Sequence, residues 1–133
     1  MENTSIGASL SFVGDEFDTN YVTQILDKKP DYILTKGELI KSTGRLSSVT
    51  VWEIRIAQKE SMDIDTHMIP IFDFIEQNIE ILQSLSSELD SEWRISVHII
   101  IRNGKSPGMF LAPKQIELAS AINAGIDFDL YAW

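Results

Sequence analysis

The chain contains no cysteine. That absence excludes disulfide scaffolds, thiolate metal sites and cysteine nucleophiles, and it removes any need for an oxidising compartment. Histidine is nearly as scarce, with only His67 and His98 in 133 residues. A serine triad would have to recruit one of them, and no G-x-S-x-G elbow, H-E-x-x-H run, G-x-G-x-x-G turn or phosphate loop occurs. Positive charge is also in deficit: 11 Lys and Arg against 20 Asp and Glu give a net charge of −9 and a pI near 4.5. Phosphate backbones and anionic membranes attract the opposite balance, so nucleic acid and membrane are poor partners. The opening MENTSIGASLSF has no basic n-region, and the longest helix-like stretch is interrupted by Asp73, Glu76 and Glu80. The expectation is a cytoplasmic protein with no signal peptide and no bilayer span.

What is present suits one domain over residues 1–133, since a hydrophobic content of 44% supports a core at this length. In 8–13, ASLSFV, Leu10 and Phe12 alternate with Ser9 and Ser11, the pattern of a strand with one buried face. Asp18 caps a helix over about 19–28, with Phe17 and Val22 placed as a hydrophobic staple and Pro30 beyond its end. The segment 31–48, DYILTKGELIKSTGRLSS, has no sustained period and reads as irregular. In 49–56, VTVWEIRI, Trp52, Ile54 and Ile56 share one face of a strand, with Glu53 and Arg55 on the other. From Thr66 to Leu89, apolar residues at spacings of three and four predict one long amphipathic helix, with Pro70 in its first turn and the cap between Asp65 and Ile69.

The surest strand is 93–101, WRISVHIII, where Trp93, Ile95, Val97, Ile99 and Ile101 alternate with Arg94, Ser96, His98 and Ile100. Asn103-Gly104 then turns the chain, and GMFLA has the length of an antiparallel return strand. Pro113 opens a last helix carrying Ile116, Ala119 and Ile122, with Gly125 as its stop. The closing GIDFDLYAW turns Ile126, Phe128 and Leu130 inward and Asp127, Asp129 and Tyr131 outward. The order β-α-β-α-β-β-α-β predicts an α+β domain: a largely antiparallel sheet of about five strands with helices mainly on one face.

Candidate chemistry is sparse. Asp127 and Asp129 lie roughly 6 to 7 Å apart on one strand face, a separation that suits a carboxylate pair or a metal, but no further ligand accompanies them and the solvated-face reading is preferred. The D-x-D-x-H run from Asp63 to His67 lacks the second histidine of a zincin and the glycine turn of an EF-hand. It reads as carboxylates at a helix N-terminus. No metal, cofactor or catalytic residue is assigned, and the expectation is a non-enzyme. Trp52 and Trp93 belong to the core, which leaves Trp133 as the exposed aromatic.

ASLSFVGDEFD, TKGE at 35–38, VWEIRI, the long helix, SPGMFLAPKQIELA and GIDFDLY together resemble the bacterial domain-of-unknown-function 4279 family over nearly the whole chain. The resemblance implies a small stand-alone α+β domain and supplies no catalytic residues. Small acidic domains of this kind occur among bacterial immunity proteins, the neutralising half of toxin–antitoxin pairs. The first expectation is therefore a protein that binds a basic toxin domain, steered by acidic charge, through Glu38, Glu53, His98, Asp127, Asp129, Tyr131, Trp133 and the 31–48 segment. A ligand-binding or enzymatic domain with a pocket under the 31–48 loop, containing His98 or Glu38, is the alternative from another class. A self-association domain with a symmetric interface is a third.

Overall fold

The computed structural model describes residues 2–133. Strand β1 (Ser5–Gly14) runs through the middle of a five-stranded sheet, and the chain then makes helix α1 (Thr19–Leu26), edge strand β2 (Tyr32–Leu34) and a small hairpin of β3 (Leu39–Ile40) and β4 (Arg45–Leu46). Strand β5 (Thr50–Glu60) leads to helices α2 (Ile64–Gln77) and α3 (Ile79–Leu89), strand β6 (Glu92–Ile101), helix α4 (Pro113–Ala121) and strand β7 (Gly125–Ala132). The spatial order is β2-β5-β1-β6-β7. β1 pairs antiparallel with both β5 and β6, whereas β7 pairs parallel with β6. The sheet is mixed rather than uniformly antiparallel, because a parallel neighbour needs a crossover and α4 supplies it.

Strict alternation gives the sheet one apolar face. Ile6, Leu10 and Phe12 of β1, Trp52 of β5, and Ile95, Val97 and Ile99 of β6 are wholly buried on it. Each such side chain contributes roughly 1.5 to 3 kcal/mol by leaving water. Met68, Ile71, Ile75, Leu82 and Leu85 of α2 and α3 and Leu118 of α4 close the core from the other side. Trp52 and Trp93 meet edge to face at 6.1 Å, and both indole N–H groups are satisfied, by Thr23 Oγ1 at 3.0 Å and the Leu82 carbonyl at 2.9 Å. Among the described residues all the helices lie on this face, as the sequence pattern predicts, and none is long and apolar enough to cross a membrane.

Several local expectations are corrected. The long helix is two helices: Asn78, at φ −130°, interrupts the backbone and donates its side-chain amide to the Phe74 carbonyl, an alternative to continued helix. The cap is Asp63, which accepts from Asp65 N–H at 3.0 Å, so Pro70 lies in the second turn of α2. The 31–48 segment is ordered as an edge strand and a hairpin, whose strands of two or three residues are too short to show a period. Asn103 and Gly104 do turn the chain, both at positive φ, but GMFLA is not a strand. β6 is already paired on both edges, so a return strand has none left to join, and Gly108 makes a single bridge to Asp63 instead. α1 ends at Leu26, followed by left-handed Asp27. Past α4 the left-handed residue is Asn123, which leaves Gly125 to open β7. Ile116 points out of α4 at 53% exposure; Leu118, Ala119 and Ile122 face the core.

Candidate functional site on the uncovered sheet face

The other face of the sheet carries no helix. Its centre is a trough, because β1 presents Ser5, Gly7, Ser9 and Ser11 there, with Val13 only at the end of the strand, between the longer Glu53, Arg55 and Gln58 of β5 and His98 of β6. Ser5, Ser9 and Ser11 are only 1%, 3% and 6% exposed although no secondary-structure element covers them. A bulge in β5 sets Ala57 and Gln58 against Gly7 and throws Gln58 across the strand. Gln58 Nε2 donates to Ser5 Oγ at 3.0 Å and to the His98 carbonyl at 3.2 Å. Position 7 has to be glycine for this: a Cβ there would stand 2.4 Å from Gln58 Oε1. The resulting depression of about 340 Å³ is lined by Gly7, Ser9, Glu53, Arg55, Gln58 and His98.

Its polar walls are held by second groups. Ser11 Oγ donates to Glu53 Oε1 at 2.5 Å, Arg55 Nε donates to the other oxygen of Glu53, and the Arg55 guanidinium lies 4.3 Å above the Tyr32 ring. On the opposite wall His98 Nδ1 meets Asp129 Oδ2 at 3.0 Å, a contact made possible by the parallel register that places His98 beside Asp129. An aspartate on Nδ1 orients the ring and leaves Nε2 to accept or donate.

Towards the β7 start of the face lie two adjoining shallow depressions of about 420 and 400 Å³ that share Glu92 and Arg94. Asp15, Asp90 and Asp127 complete this lip, all exposed. Arg94 pairs with Glu92 of its own strand at 2.5 Å, as Arg55 does with Glu53, and Lys36 pairs with Asp15 at 2.6 Å; each pair cancels its own charge, and among the described residues Asp90 and Asp127 remain as carboxylates without a basic partner at this end of the face. At the far end of β7, Tyr131 and Trp133 are 55% and 76% exposed, and the Arg102 guanidinium lies 5.3 Å from the Trp133 ring centre.

The structure thus gathers Glu53, His98 and Asp129 around the trough, puts Asp127 on the lip and carries Tyr131 and Trp133 along the margin. Glu38 stands apart: it accepts from Thr35 N–H at 3.1 Å and faces a different depression, about 400 Å³, between β2 and the hairpin. Sequence reasoning missed Gly7, Ser9, Arg55 and Gln58 as members of the site. The available signal was the run of small residues on the outer side of β1, which marks a central strand under taller neighbours.

His67 is buried at 3% exposure, and its Nε2 has no hydrogen-bond partner. Burial pulls its pKa below the usual 6.5, against the attraction of Asp63 and with the repulsion of Lys59. Among the described residues no three His, Asp or Glu side chains are grouped to hold a metal ion.

Comparison with known families finds one model, the domain of unknown function DUF4279, matching residues 3–133. No curated protein and no solved structure matches the chain.

Proposed function

Since the chain belongs to this family of unknown function, its activity has to be argued from its own geometry, and we propose that it is a cytoplasmic binding protein that docks a basic protein partner on the uncovered sheet face, as an immunity protein occupies and neutralises a bacterial toxin domain. One observation carries the reading: a five-stranded sheet has its helices on one side and leaves the other as a broad polar face on which Arg55 and Arg94 are paired with carboxylates of their own strands. Acidic residues also cover the helices, among them Asp65, Asp73, Glu76 and Glu80, so sign alone does not select the face. Tyr32, Tyr131 and Trp133 at its margins add the aromatic content typical of interface hot spots, and the acidic lip supplies steering for a basic partner.

The test is co-purification with the polypeptide encoded next to this one, at low and high salt, together with a growth assay for protection from that polypeptide. A one-to-one complex that protects, associates faster at low salt and loses affinity when Asp127 and Tyr131 are replaced by alanine is the expected result. A complex insensitive to every substitution on the sheet face would refute this docking site.

A second reading is favoured by the trough itself. Arg55, Gln58 and His98 are each fixed by another protein group, the preorganisation expected of a small-ligand site rather than a solvated face. A fragment screen followed by NMR tests it: chemical-shift changes confined to Gly7, Ser9 and His98 support it, and changes scattered over the surface oppose it.

A further inference from the structure

The two edges of the sheet differ in kind. β2 is three residues long and is followed at once by the β3–β4 hairpin, a blunt edge. β7 is eight residues long, contains neither proline nor lysine, and pairs with β6 in unbroken register from Gly125 to Ala132. Edge strands are ordinarily protected by shortness, charged side chains (lysine above all), proline or a bulge, and of these β7 has only the two carboxylates of Asp127 and Asp129, which repel a like-charged strand and attract a basic one. The Trp133 amide donates inward to the Ile101 carbonyl at 3.0 Å. By the two-residue alternation of a strand, the amides of Asp127, Asp129 and Tyr131 also face β6, while those of Ile126, Phe128, Leu130 and Ala132 face outward. Among the described residues no strand takes up that outer row.

The side chains say what would fit there. On the uncovered face β7 presents Asp127 and Asp129. On the helix side Phe128 is half-buried and Leu130 is left 50% exposed. A second copy of the chain, paired antiparallel in the register that uses the whole strand, sets Asp129 against its own copy, and like charges directly opposite are destabilising. A strand with lysine or arginine at every second position, and apolar residues between them, instead answers both carboxylates and covers Leu130. We propose that β7 extends the sheet by accepting such a basic–apolar strand from the partner protein. The proposal rests on the partner-binding reading and specifies the edge and the chemistry through which the partner is held, by the main-chain addition known from other peptide-binding sheets.

The probe is a ten-residue peptide alternating lysine and valine, compared with the same peptide carrying glutamate for lysine and with one in which the lysines and valines are segregated into two blocks. Binding is followed by amide hydrogen exchange and NMR on the intact protein. The expected result is at least tenfold slower exchange at Phe128 and Leu130 with the alternating lysine peptide alone, and at least tenfold weaker binding to Asp127→Lys. Leu130→Pro, which removes an outward amide and leaves the ladder to β6, should abolish the protection, and an unchanged spectrum of the β6 amides verifies that this variant is folded. Equal binding of the glutamate or the segregated peptide, or binding that leaves the outward amides unprotected, overturns the proposal. A partner complex that forms without protecting those amides overturns the edge and leaves face docking standing. Edge protection by the peptide in a protein that captures no partner supports the edge and counts against the partner-binding reading.

Discussion

Replacing Gly7 with alanine isolates the contact that shapes the trough. Gly7 does not have positive φ, so the backbone itself tolerates a side chain, and alanine in a strand would ordinarily gain about 0.5 to 1 kcal/mol over glycine. The obstacle is Gln58 Oε1, 2.4 Å from the new Cβ. To make room Gln58 has to swing away and lose its bonds to Ser5 and the His98 carbonyl, each contributing about 0.5 to 1.5 kcal/mol. Gly7→Ala should therefore destabilise by about 1 to 2 kcal/mol. Gln58→Ala alone loses the same two bonds, and in that background the clash is gone. The Ile56 carbonyl at 3.3 Å still crowds the Cβ and limits the recovery. Gly7→Ala added to Gln58→Ala should thus cost about 0.5 kcal/mol or less, a coupling of about 1 kcal/mol in the double-mutant cycle. Urea unfolding monitored by the buried tryptophans measures all four proteins, with unchanged m-values as the check on two-state comparison. Additive effects within about 0.3 kcal/mol would show that Gln58 is not what position 7 excludes.

His67 predicts a pH dependence. Its folded-state pKa lies below the unfolded 6.5, so as pH falls from 7.5 through 6.5 the unfolded chain takes up the proton first and stability is lost until the folded-state value is passed; unfolding free energies at pH 7.5 and 5.5 should differ more for the wild type than for His67→Leu, and equal slopes would refute this. Asp63→Ala removes the cap bonds to Asp65 N–H and Thr66 Oγ1 and should destabilise by about 1 kcal/mol, read by the same assay with Asp65→Ala as control. Trp93→Phe deletes the bond to the Leu82 carbonyl from a side chain 1% exposed and should cost about 2 to 4 kcal/mol, visible as a lowered urea midpoint; a shift below 1 kcal/mol would mean that the core refills the space.

The face of each strand was legible because alternation is a local property: the sides taken by Glu53, His98, Asp127, Asp129 and Tyr131 follow from counting residues. Which strands touch is not local. That His98 meets Asp129 depends on β7 lying parallel to β6, and the sequence alone left GMFLA as a plausible competitor for that edge. Asn78 was hidden for a different reason, since the apolar stripe continues through the break and a single residue's preference for its own backbone bond leaves no periodic trace. Glu38 is the candidate residue that stands off the face, because its carboxylate is occupied in the turn that precedes the hairpin, a contact that no periodicity in 31–48 announces. Ser9 and Gly7, small and uncharged, advertise no chemistry in the sequence; their meaning comes from the height of their neighbours.

The position of β1 bears on how the chain assembles. It precedes every other element in the sequence yet lies in the middle of the sheet, with Ser9 facing Arg55 on one side and Ser96 on the other. Its apolar side cannot be matched by local contacts, so while the chain is being synthesised β1 stays unpaired until β5 emerges and half-paired until β6 follows. Contacts so distant in sequence slow folding. Until they form, Leu10 and Phe12 are exposed hydrophobic residues in a stretch, 3–14, that carries no charge of its own and is guarded against wrong association at its C-terminal end by Asp15 and Glu16, which makes the strand's uncharged N-terminal half the place where aggregation during refolding would begin.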